Sequence, residues 1–85
     1  MKHATSETFA RIPELLEAIA QYVPPLKEKK KGTFYYKSSA FLHFHDDPSG
    51  IFADLKVNKE WVRYDVTSKK DWPLLMSQIE QQLNL

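Results

Sequence analysis

From Thr33 to Val66 the apolar residues recur at roughly every second position, and on either side of that stretch they recur at every third and fourth. A period of two sends alternate side chains to opposite faces of a strand, whereas a spacing of three and four makes one stripe along a helix. The runs TFYYKS, AFLHFHD, GIFADLKV and EWVRYDV are aromatic and β-branched and are separated by short polar breaks. DDPSG puts proline and glycine where a hairpin turn needs them, while KSS and NKE are weaker turn signals of similar brevity. Breaks this short join neighbouring antiparallel strands, because a parallel crossover needs about a dozen residues or more. Ahead of the strands, Ile12, Leu15, Leu16, Ile19 and Val23 form a helical stripe that Pro13 opens and Pro24-Pro25 stops. Phe9 continues the stripe one turn earlier, so Ser6 to Arg11 reads as a separate turn kinked at Pro13. After the strands, Trp72, Leu75, Met76, Ile79 and Leu83 form a second stripe, with Asp71 as its candidate N-cap. LKEKKKG, between the first helix and the strands, reads as a charged connector. The expected fold is α+β: an N-terminal helix, a four-stranded antiparallel meander and a C-terminal helix, both helices packed on one face of the sheet. The 85 residues are expected to form one domain, with residues 1–8 outside the main pattern and flexible.

Register follows from the turns. With Asp47 and Gly50 closing one hairpin and Val57 and Glu60 the next, His45 falls opposite Phe52 and His43 opposite Asp54. Asp54 in turn falls opposite Arg63, Lys56 opposite Trp61, and Phe52 opposite Asp65. The intervening residues Leu42, Phe44, Ile51, Ala53, Leu55, Val62, Tyr64 and Val66 are almost wholly apolar and form the face that the helices cover. For TFYYKS the pattern leaves open whether Phe34 and Tyr36, or Tyr35, face the helices. The outer face then carries Phe41, His43, His45, Phe52, Asp54, Lys56, Trp61, Arg63 and Asp65. Opposite charges across strands, as in the row His43–Asp54–Arg63, help fix register. Phe41, Phe52 and Trp61 together would expose on the order of 500 Å², the size of patch that meets a partner unless the N-terminal residues fold over it. At His43, Asp54 is expected to raise the imidazole pKa and Arg63 to oppose it, leaving a modest net rise.

These residues narrow the chemistry. A metal centre needs three or more converging ligands; His43, His45 and Asp54 offer them, but Arg63 competes for the carboxylate, so no metal site is expected. A hydrolytic site would use His43 as base, Asp54 as its orienter and Ser38 or Ser39 as nucleophile, yet both serines belong to a turn. The two glycines, Gly32 and Gly50, build no phosphate-cradling loop, and no cofactor is expected. The chain has no cysteine, which removes thiolate ligands and thiol nucleophiles. Nucleic acid is the second expected partner class, through Lys27, Lys29, Lys30, Lys31, Lys37, Lys56 and Arg63 with aromatic side chains as stacking platforms. A net charge of +1 supplies no global pull towards such a partner.

The pattern KGTFYYKSSAFLHFHDDPSGIFADLKV, followed by WVRYDV and WPLLMSQI, resembles small bacterial α+β proteins. In its order of helix, antiparallel meander and helix it is similar to the MmcQ/YjbR-like and frataxin-like architectures. The first of these implies DNA binding and the second iron binding by an acidic first helix. Here that helix carries only Glu14 and Glu17 on its body, so the iron-binding feature is missing. The likeness is one of element order and transfers no functional residue. With no stretch of about 18 apolar residues and no secretory signal pattern, a cytoplasmic location without membrane contact is expected. The leading expectation is a non-enzymatic binding module whose outer sheet face meets a protein partner or a second copy of itself. A nucleic-acid binder comes second, and a small hydrolase or metal protein third.

Overall fold

The computed structural model describes residues 2–84. Its elements are β1 (Lys2–His3), α1 (Ser6–Ala10), α2 (Pro13–Ala20), β2 (Lys27–Lys30), β3 (Thr33–Tyr36), β4 (Ser39–Asp47), β5 (Gly50–Val57), β6 (Glu60–Asp65) and α3 (Trp72–Leu83). The architecture is α+β with helical segments at either end and one antiparallel sheet. That sheet has six strands rather than four, in the order β2-β3-β4-β5-β6 with β1 paired to β4. The charged connector is itself strand β2, which pairs with β3 and contains a bulge between Glu28 and Lys30. Residues 2–8 are likewise built into the fold rather than flexible, while Met1 lies outside the described residues. His3 pairs with His45, Lys2 pairs with Asp46, and Thr8 in α1 is fully buried.

The central register is the one that the turns imply: His43 opposite Asp54, His45 opposite Phe52, Asp54 opposite Arg63, Lys56 opposite Trp61 and Phe52 opposite Asp65. The weaker turns close as tightly as DDPSG, because Lys37, Ser38, Asn58 and Lys59 all take positive φ, the backbone of a two-residue hairpin loop. Leu42, Phe44, Ile51, Ala53, Leu55 and Val66 pack with Leu15, Leu16 and Ile19 of α2 and with Leu75, Ile79 and Leu83 of α3 in one core. Val62 lies on the same face but is 37% exposed, on the last strand of the sheet, which has a neighbouring strand on one side only. Phe34 is fully buried in the core and Tyr36 packs against it, so Tyr35 takes the outer side.

Phe41 corrects the outer-face assignment. It is buried, and its ring packs against Tyr36 at 5.6 Å. The cause is a bulge: Leu42 pairs with Phe34 and Ala40 with Tyr35, which leaves Phe41 as the extra residue on β4. At such a position strict alternation fails, and Phe41 turns inward beside Leu42. Pro13 opens α2 separately from α1, as the kink predicts. Among the described residues no helix is long and apolar enough to cross a membrane.

Candidate functional site

With Phe41 inside, the outer face centres on Asp54. Its carboxylate accepts from Arg63 Nε at 2.8 Å and Nη2 at 2.9 Å, and it lies 2.9 Å from His45 Nε2. The cross-strand register places His43 opposite Asp54, but the contact goes to the diagonal neighbour His45. His43 instead packs its ring 4.5 Å from Trp61 and 5.0 Å from His45. Strand β1 adds a residue that alternation could not reveal: His3 stands 5.3 Å from the His45 ring. Lys56 Nζ lies 4.4 Å from the Trp61 ring centroid. Asp54 is buried, Trp61 and Arg63 are exposed, and His43, His45, Phe52 and Lys56 lie between those limits.

The electrostatics follow from these contacts. The Arg63 hydrogen bonds hold the Asp54 carboxyl below its usual range, helped by His45 and His43 and opposed by burial. For His43 the expected rise is reversed. Burial lowers its pKa; Asp54 pulls it up, and His45, His3 and Arg63 push it further down. Packing between Trp61 and His45 strips water from the ring, and that cost outweighs a carboxylate engaged elsewhere. His43 Nδ1 is buried without a hydrogen-bond partner. The neutral ring is thus the native form near pH 7.

His43, His45 and Asp54 each offer a ligand atom, all within 4.8 Å of one another. A divalent cation there would have to displace the Arg63 fork and tolerate a guanidinium beside it. The serines are worse placed. Ser38 and Ser39 sit at the β3–β4 turn, and from Ser39 to His43 the strand rises roughly 13 Å, beyond hydrogen-bond reach. Compared with protein-family profiles, curated proteins and solved structures, the chain matches none.

The histidine result gives a pH prediction. His43 has a folded-state pKa below its ordinary 6.5, so the unfolded chain takes up the proton first as pH falls. Stability is therefore full above about 6.5 and declines below it, levelling off beneath the folded value. Asp54 adds a second loss, present above its ordinary 3.8 and surrendered as pH falls through its lower folded value. Thermal unfolding between about pH 8 and 3 should show both stages, and His43→Phe should remove His43's contribution to the first. An NMR titration of Asp54→Asn should find the His43 pKa lower still, because Asp54 is the group that raises it. A rise in that variant would contradict the assignment.

Proposed function

We propose that the chain is a non-enzymatic interaction module, and that a second copy docks along β6 with Trp61 and Arg63 at the contact. The observation that carries this reading is the free edge of β6, the last strand of the sheet. It has no proline and no bulge against β5, and it exposes Trp61 on one face and Val62 on the other. The opposite edge, β2, is short, bulged and rich in lysine, features that blunt an edge against pairing.

Phase and charge select one register. The Asn58–Lys59 turn makes Val57–Glu60 a hydrogen-bonded pair, and Leu55–Val62 and Ala53–Tyr64 share its phase. The bond from Val66 N to Ile51 O at 2.9 Å continues it. Trp61, Arg63 and Asp65 therefore aim their backbone groups at the free edge. A twofold antiparallel partner must match that phase, so the axis passes at residue 61, 62 or 63. An axis at 63 sets Arg63 against the partner's Arg63, and one at 61 sets Arg63 against the partner's Lys59. The axis at 62 opposes Trp61 to the partner's Arg63, Lys59 to the partner's Asp65, and Val62 to the partner's Val62. Cation–π, opposite-charge and apolar pairs then coincide, each a favourable cross-strand contact.

A single ribbon of this length falls short of the roughly 1,200 Å² of stable interfaces, so the dimer is weak. Light scattering from about 20 µM to 1 mM should follow a rise from the 10.0 kDa chain towards twice that mass. Trp61→Ala should weaken the association, and Val62→Lys, which opposes like charges on the axis, should abolish it while leaving the monomer folded. A monomer throughout that range, or a dimer indifferent to Val62→Lys, rules the reading out.

A further inference from the structure

Strand β4 is longer than either strand on its β3 side. β3 pairs with it from Ser39 to Leu42 and β1 from His45 to Asp46. At the junction, around His43 and Phe44, the ladder is reduced to a bond from Ala4 N to the Phe44 carbonyl at 3.2 Å. The break opens a notch of about 550 Å³, within the range of small-ligand sites. Phe9 and Phe44, both buried core residues, give it an apolar base. Lys29, Lys30 and Lys31 line it, together with His3 of β1 and His43 of β4.

No carboxylate lines this notch. The acid of the β2–β3 hairpin, Glu28, accepts from Gly32 N at 2.8 Å instead. Among the described residues none of the three lysines joins an ion pair, and Lys29 Nζ rests 4.4 Å from the Tyr35 ring centroid. Protection of an edge strand accounts for exposed lysines, but it requires no apolar cavity beside them. The same lysines border a second hollow that Glu17 and Glu28 line, so those carboxylates lie outside the notch, and within it a dianion attracts the ammonium groups more strongly than a monoanion does. The side chain that divides the notch from the Asp54 cluster is His43, which lines both.

We propose that the notch binds a phosphate monoester of small-molecule size, its phosphate among Lys29, Lys30 and Lys31 and its apolar body on Phe9 and Phe44. The site lies on the opposite flank of the sheet from β6 and is independent of the pairing proposed there. A phosphodiester of a nucleic-acid strand offers the same head group with about half the charge, and it would run on across the sheet rather than end in the notch.

The test is an amide-resolved NMR titration of the full chain with phenyl phosphate, inorganic phosphate and a ten-residue oligothymidylate at low salt. Phenyl phosphate is expected to shift Thr33, Tyr35 and His43 and to bind more tightly than inorganic phosphate. Lys30→Glu with Lys31→Glu should weaken it ~10-fold or more, whereas Lys70→Glu, remote from the notch, should not. The same spectra report whether each variant is folded, and Lys31→Ala alone should give a smaller loss in the same direction. Absence of shifts by about 10 mM phenyl phosphate overturns the proposal. So does a shift map spread equally over Lys37, Lys56 and Lys70, or tighter binding of the oligonucleotide with shifts reaching Trp61 and Arg63.

Discussion

Gly32→Ala is expected to destabilise the protein by about 3 kcal/mol and to lower its melting temperature by roughly 12–24 °C. Gly32 closes the β2–β3 hairpin at φ +79°, where an L residue is strained at a cost of about 1–2 kcal/mol. A Cβ there would also stand 2.3 Å from the Phe9 ring. Phe9 cannot simply swing aside, because it is a core residue packed edge-on against Phe44 with ring centroids 6.0 Å apart. Overpacking of this kind costs a further ~1–3 kcal/mol, a large share of the stability of a domain this small. Chemical denaturation of Gly32→Ala, Phe9→Leu and the double variant separates the two causes. If the ring collision matters, the smaller side chain makes room and the losses are less than additive. A Gly32→Ala protein within about 0.5 kcal/mol of the parent would mean that the hairpin is not seated on Phe9.

The same hairpin shows where the sequence could be read and where it could not. The register of β4, β5 and β6 is legible because two tight turns pin it and a slip of one residue would turn Asp54 and Arg63 onto the apolar face that packs on the helices. β2 is illegible for the opposite reason. KEKK has no apolar alternation, and what makes it a strand is its ladder to β3, a tertiary fact. β1 has two residues, too few for any period to exist. Phe41 fails through the bulge, since one extra residue reverses the face that alternation assigns.

The polar cluster was half legible. Cross-strand pairing brings His43, Asp54 and Arg63 into one row, as the turns imply. Pairing does not say which histidine reaches the carboxylate, nor that Trp61 closes over the other. Those outcomes depend on side-chain packing, and burial rather than charge then decides the His43 protonation state.

At Asp54 the expected effect is almost as large, and it bears on function. Asp54 is 7% exposed, and its carboxylate takes the Arg63 fork and the His45 contact. Asp54→Ala removes an ionised acceptor from a buried position, which typically costs about 1.5–3 kcal/mol. Arg63 keeps 47% of its side chain exposed and regains water when released, so the loss should fall near the lower end, about 2 kcal/mol. Arg63→Met alone leaves the buried carboxylate with the His45 contact but without the two hydrogen bonds of the fork. The double variant should therefore lose less than the two single changes combined. The fork also fixes the guanidinium that the proposed register sets over the partner's Trp61. In conditions where the monomer stays folded, Asp54→Ala should weaken dimerisation by letting Arg63 move, although Asp54 itself has no place in the strand–strand contact. Retained dimerisation alongside the stability loss would make Asp54 a purely internal support and remove Arg63 from the interface.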